Sequence, residues 1–208
     1  MTRIRVMLLL VLVAALLAPA ALFGAAPTTV DTPQGRYLTG QLLVATPEMG
    51  DPRFRETVIL MVRHSKDGAM GLVINRPAGE QRLSRILEDL GDEGAGVAGS
   101  VPVYLGGPVQ PELGFVLHTT DYRRAGIIDV NGTVAVTATK EIIRDIAAGN
   151  GPKKYMLIFG YAGWAGGQLE GELARNSWYT APFDLSLIFD MDRDRVWERA
   201  VERRTRDL

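Results

Sequence analysis

The sequence predicts an α+β fold built largely on antiparallel strands. Three observations predict it. Short apolar, β-branched runs at 57–62 and 69–74 flank a polar turn at 64–68, the pattern of a hairpin. Apolar residues at helical spacing occur only in short, scattered stretches, at 82–90, 140–148 and 194–205. The strict strand–helix alternation of a doubly wound parallel sheet is missing.

The elements follow in order. Residues 41–45 are apolar and read as a strand, and the Gly-Asp-Pro after them is loop chemistry. The hairpin covers 57–74. Leu83, Ile86, Leu87 and Leu90 share one face of a helix at 82–90, and the four glycines of 91–100 make a flexible connection. Strands are expected at 101–105, 114–118 and 133–137, the last after an Asn131-Gly132 turn. Thr139 suits the N-cap of a helix at 140–148, and Gly149 ends it. A strand at 155–161 then leads through a glycine-rich loop to a helix at 167–176. A last strand is expected at 185–189. The final helix turns Val196, Trp197, Ala200 and Val201 inward.

The N-terminus is a separate object. Arg3 and Arg5 precede an uncharged stretch from Val6 to Ala26, which reads as a secretory signal or a membrane anchor. Ala18-Pro19-Ala20 resembles a cleavage site, yet residues 7–26 are long enough to span a bilayer if uncleaved, so both readings stand. No Lys or Arg follows until Arg36, which places the N-terminus in the cytoplasm and the domain outside, exported or anchored at the inner membrane facing the periplasm. Residues 27–39 read as a linker and 40–208 as one domain.

Composition narrows the function. The net charge of −1 argues against a general nucleic-acid coat. With no cysteine, thiolate nucleophiles, Cys-ligated zinc, iron–sulfur clusters and disulfides all drop out. Two histidines make a His-rich metal site unexpected, and no cofactor or metal is expected.

Several motifs tempt and fail. Gly94-Ala95-Gly96-Val97-Ala98-Gly99 fits a dinucleotide fingerprint, but a helix precedes it and a strand follows, the reverse of the required order. Asp190, Asp192 and Asp194 open like a calcium loop, but Arg195 and Val201 stand where Gly and Glu are needed, so a helix start explains them better. The arginines of the last helix alternate with acidic residues, the pattern of a solvated face. His64 and His118 have no local partner that would orient either as a base.

Three stretches are more specific: GQLLVATPEMGDPRF at 40–54, HSKDGAMGLVINRP at 64–77 and FGYAGWAGGQLEGEL at 159–173. The last carries five glycines with Tyr161 and Trp164, and Gln168 and Glu172 fall on one helix face. Such a loop before a helix suits a ligand pocket roofed by Trp164; equally, its glycines can solve a packing problem.

Together with YLGGPV at 104–109 and the Phe189…Trp197 pair, these stretches make the chain resemble the AlgH/YqgE family over residues 38–200. The resemblance implies a compact α+β fold with a β-barrel-like antiparallel core flanked by helices. It implies no reaction. The family carries the label of transcriptional regulator, which the charge pattern here does not support as direct DNA binding. Many members have a cysteine where this chain has Val62, and most lack the apolar leader and look cytosolic, so a cytoplasmic location is the alternative.

The leading expectation is a non-catalytic domain that binds a small ligand or a protein partner in a regulatory role. Its candidate surface is Asn75, Arg76, Gly107, Tyr161, Trp164, Gln168 and Glu172. One alternative is a hydrolase-like enzyme using His64 with Glu170 or Glu172, which requires those side chains to converge. The other is a transcriptional regulator.

Overall fold

The computed structural model describes residues 37–94 and 96–205. The expected signal or anchor, and most of the expected linker, lie outside them. Among the described residues no helix is long and apolar enough to cross a membrane.

Strands β1 (Leu42–Ala45), β2 (Val58–Ser65) and β3 (Gly68–Val73) form an antiparallel series. Strand β4 (Pro77–Arg82) leads into helix α1 (Leu83–Asp89), followed by β5 (Ser100–Leu105) and the long β6 (Val109–Thr119). Then come β7 (Ile128–Asp129), β8 (Val134–Thr137) and helix α2 (Lys140–Ala147). Strand β9 (Tyr155–Ala165) turns into helix α3 (Gln168–Ala174), and β10 (Trp178–Ala181) follows. Helix α4 (Leu185–Phe189), a 3-10 turn at Arg193–Arg195 and helix α5 (Val196–Glu202) complete the chain.

The sheet runs β10-β1-β2-β3-β9-β6-β8-β7, with β5 joined to β9 and β4 joined to β5. Strand β9 is its spine. One edge carries β6, and the other carries β5 beside residues 157–159 and then β3 beside residues 162–165. Among the described pairings only β5–β9 is parallel. The architecture is the expected α+β one, a curled and largely antiparallel sheet flanked by helices.

The central strands are buried on both faces, which explains their unbroken apolar runs. In β1, Leu42 and Val44 join one core cluster while Leu43 and Ala45 join another. In β2, Val58, Leu60 and Val62 alternate in the same way with Ile59 and Met61. A third cluster joins α1 and α2 to β5, β6 and β9. His118 is fully buried beside it. Its Nδ1 donates to the Thr119 carbonyl at 2.8 Å and its Nε2 accepts from the Thr137 hydroxyl at 2.9 Å. Burial holds this imidazole below its ordinary pKa.

Four expectations need correction. Residues 185–189 form a helix, not a strand, because the Asp184 carboxylate accepts from the Ser186 and Leu187 amides and caps it. The expected loop between 161 and 167 is mostly strand: β9 continues through 162–165 to Ala165, and only Gly166 and Gly167 turn. Strand β10 pairs with β1 and was not expected. Strand β4 was not expected either; all six of its residues are exposed, so no apolar alternation announces it.

Candidate functional site

The seven candidate residues fall into three places. Gly107 and Tyr161 meet where β5 ends and β3 takes its place along β9. A Cβ on Gly107 would lie 2.2 Å from the Tyr161 carbonyl carbon, and one on Gly160 would lie 2.5 Å from the Gly107 carbonyl oxygen. Two backbones approach here as only glycine allows. These glycines serve packing.

Trp164, Gln168 and Glu172 do converge. The Glu172 carboxylate accepts from the Trp164 indole at 2.9 Å, from the Trp178 indole at 2.8 Å and from the Gln168 amide at 3.0 Å. Gln168 also accepts from the Ala165 amide, closing the turn into α3. The two indoles meet edge to face with centroids 6.1 Å apart. Trp164 is only 7% exposed, packs with Leu43, Met49 and Leu169 in the second core cluster, and lines neither of the two cavities described below. Trp178, which the sequence reading missed, is the second indole on the same carboxylate oxygen.

His64 and Glu170, 106 positions apart, also converge: Nε2 lies 3.1 Å from Glu170 Oε1. His64 Nδ1 accepts from the Leu38 amide at 3.1 Å, which puts the ring proton on Nε2, facing the carboxylate. The imidazole side chain is 2% exposed and stacks edge-on against Tyr37. Both ring nitrogens are thus engaged, and the histidine ties residues 37–39 to β2 and α3. The other arm of that expectation, Glu172, is occupied by its indoles.

Asn75 and Arg76 lie elsewhere. Trp164 pairs with Ala69 near the start of β3, whereas Asn75 follows its end. Asn75 accepts from the Val58 amide at 2.9 Å and donates to the Glu56 carbonyl at 2.8 Å. Arg76 donates to the Arg55 carbonyl. Glu56 is held at φ 53°, a left-handed conformation that costs free energy in a non-glycine residue. Two side chains from 75–76 therefore fix the backbone at 55–56.

Together they form one wall of a polar cavity of about 300 Å³. The opposite wall carries Arg193, Asp194, Trp197 and Glu198. Arg193 bonds only to backbone in this cluster: to the Met191 and Ile188 carbonyls, both at 2.8 Å, and to the Ile74 carbonyl at 3.3 Å. It buckles the 3-10 turn onto the end of β3, and burial lowers its pKa from the usual arginine value. Trp197 donates its indole N–H to the Ala45 carbonyl at 2.8 Å. The cavity thus holds two guanidinium groups and three carboxylates on a braced frame. Sequence patterns showed Asn75 and Arg76 but not this second wall, which comes from about 120 positions downstream.

A second cavity, of about 310 Å³ and mainly apolar, lies among α1, α2, β6, β8 and β9. Neither of these two cavities is lined by Gly107, Tyr161, Trp164, Gln168 or Glu172. Among the described residues no group of three His, Cys, Asp or Glu side chains is placed to hold a metal. Asp192 instead caps the 3-10 turn by accepting from the Asp194 amide.

A family model described as AlgH-like matches residues 42–208. A UPF0301 protein of Rhodospirillum rubrum is 47% identical over 164 residues, covering 79% of this chain and 85% of that protein. One from Jannaschia sp. is 47% identical over 167 residues, covering 79% and 87%. The solution structure of the AlgH protein from Pseudomonas aeruginosa superposes with a TM-score of 0.71 at 38% identity, covering 88% of this chain and 92% of that one. A crystal structure of a Corynebacterium diphtheriae protein shares the fold alone, with a TM-score of 0.64 at 20% identity over 81% and 87% of the two chains.

Proposed function

The chain belongs to the AlgH-like family, and we propose that it is a non-catalytic binding domain whose ligand site is the polar cavity beside Asn75 and Arg76. The observation that carries this reading is the bracing of that cavity. Asn75 and Arg76 hold one wall in a costly backbone conformation, and Arg193 buckles the other wall to it. Rigid walls lower the ordering cost of binding. The mixed charge suits a small polar ligand bearing both signs, or a polar segment of a protein partner, and a regulatory role follows from binding without turnover. The Trp164–Glu172 network is then the frame and not the site.

Trp197 lines this cavity, so ligand binding can be followed by its fluorescence, with Trp197→Phe as the control for the other two tryptophans. A panel of small dipolar metabolites titrated against the protein should yield a ligand whose affinity drops about tenfold in Arg76→Ala, as expected for losing a charged hydrogen bond. Affinity should be unchanged in Gln168→Ala. The opposite pattern would return the site to the Trp164 loop.

One observation favours a second reading, a hydrolase-like enzyme: His64 does meet Glu170. Against it, both ring nitrogens already have partners, so a substrate must displace one. Ester or amide turnover that survives in the wild type and vanishes in His64→Gln would establish this reading.

We also propose that the domain works outside the cytoplasm, on the strength of Arg3, Arg5 and the uncharged stretch behind them. Protease added to spheroplasts should then digest it. A domain digested only after lysis would favour the cytoplasmic alternative.

A further inference from the structure

The apolar cavity exists because β6 leaves β9 and returns. Val109 pairs with Tyr161, and the next recorded partners are Gly114 and Phe159, so β6 advances five positions while β9 advances two. The excursion begins at Gln110, whose φ of 45° is uncommon for any residue but glycine. Its residues Gln110, Glu112 and Leu113 cover the cavity as a flap. Bulges of this kind occur where a strand must re-aim side chains beside a site, and strain of this kind persists where the surroundings enforce it.

The interior is left open at Gly114. The three atoms nearest a Cβ there all belong to the Phe159 ring, at 3.4–3.9 Å, ordinary contact distances, and Gly114 lines the cavity, so a larger residue there would project into that space. A glycine inside a strand gives up packing, and one common reason is the close approach of another group. The walls are Ile86 and Leu90 from the α1 side, Ile143 from α2, and Leu157 and Phe159 from β9. Leu105, the one exposed large hydrophobic among the described residues, pairs with Phe159 and so stands on the same face. A cavity walled by aliphatic side chains from α1, α2 and β9, with an exposed leucine paired to one of its wall residues, fits an aliphatic chain.

Charge at the rim gives the chain a head. Lys140, the first residue of α2, lines the cavity. Its ammonium lies 3.8 Å from Asp92, but that carboxylate is already held by two nitrogens of Arg144. Lys140 is the more loosely held of the two cations on Asp92, Arg144 also reaching Glu141 at 3.7 Å, and it is the one cation among the residues that line the cavity. The one carboxylate among the lining residues, Glu112, sits exposed on the flap, where water screens it.

We propose that this cavity binds an unbranched aliphatic carboxylate, its chain between α1, α2 and β9 and its head group at Lys140. This site is separate from the polar cavity, and each can fail without the other. The probe is decanoate titrated into the full chain by calorimetry, with decyltrimethylammonium as the charge-reversed control. Decanoate should bind saturably at one site per chain, and the ammonium compound at least tenfold more weakly. Lys140→Gln should weaken decanoate about fivefold, the upper range for a half-exposed charge pair, and Glu112→Gln should tighten it. Gly114→Val and Ile143→Phe, two independent ways of filling the cavity, should each abolish binding while the thermal transition stays cooperative.

The proposal is overturned if decanoate does not bind the wild type, or if it binds both filled variants as well as the wild type. Equal binding of the cationic probe would also overturn it. So would a dimer that Leu105→Ser dissociates and that buries the cavity with no decanoate bound, since the occupant would then be a second copy of this chain.

Discussion

Two regions of the molecule have natures opposite to those their sequences suggest. The stretch 159–173, dense in glycine and aromatic residues, folds into strand and helix joined by a two-glycine turn, its indole packed beside that of Trp178 on the Glu172 carboxylate. The stretch 109–114, with nothing remarkable in its residues, departs from its ladder and opens a cavity. Dense glycine marked the place where two backbones touch, at Gly107 and Gly160. A single glycine, Gly114, marked the open space. What distinguishes them is the environment of each missing Cβ: backbone at 2.2 Å and 2.5 Å in the first case, one ring face at 3.4 Å in the second.

The largest effect should come from breaking the packed region. Trp164→Ala removes a core indole and should lower unfolding free energy by about 3–5 kcal/mol, measured by denaturant titration. A loss under about 1 kcal/mol would mean the ring is peripheral. Gly107→Ala should rank next, since φ of 151° and the contact with Tyr161 both oppose a methyl group. We expect a loss of about 2 kcal/mol or more, with the β5–β9 junction disturbed.

Glu172→Ala follows. It leaves two indole N–H groups without their acceptor, at about 1–3 kcal/mol for each one that stays dry. Glu172→Gln keeps an acceptor oxygen and should recover much of the loss.

Smaller, and readable only against pH, is the contribution of His118. The folded chain resists protonating this imidazole, because burial comes first among its influences and lowers its pKa. As pH falls below 6.5, its ordinary value, the unfolded chain gains a proton that the folded chain refuses. Stability should therefore decline with falling pH in that window and be fully present above it. His118→Asn should be less stable throughout but show a flatter profile there. A wild-type profile already flat between 6.5 and about 5 would show that the imidazole titrates normally.

The smallest effect belongs to the open region. Gly114→Val should raise stability by about 0.5–1 kcal/mol, because it restricts the unfolded chain and fills space. A loss would mean that the space is needed by a neighbouring side chain in motion.

These differences also show what the sequence could and could not reveal. Strands β1, β2 and β3 were legible because burial on one or both faces writes period-two or continuous apolar runs. Helix α4 was misread because its residues, Leu-Ser-Leu-Ile-Phe, suit a strand, and the deciding feature was the Asp184 cap just before them. Strand β4 writes no pattern, being wholly exposed. At the site, Asn75 and Arg76 were legible as the odd end of an apolar strand. Glu56, Arg193, Trp197 and Glu198 were not, because the polar cavity forms only when α5 folds back across β1 and β2. The apolar cavity was not legible either, since a ladder slip depends on pairing partners far apart in sequence, Val109 with Tyr161 and Gly114 with Phe159.

The claim that the conspicuous motif is frame, and that binding happens elsewhere, is open to one direct measurement: hydrogen exchange of the Trp164 and Trp178 indole N–H groups. If Glu172 holds both inside a rigid core, each should exchange only through global unfolding, with the protection of the slowest β2 amides. Indoles that exchange at least a hundredfold faster than those amides would show a loop that opens, and would contradict the account.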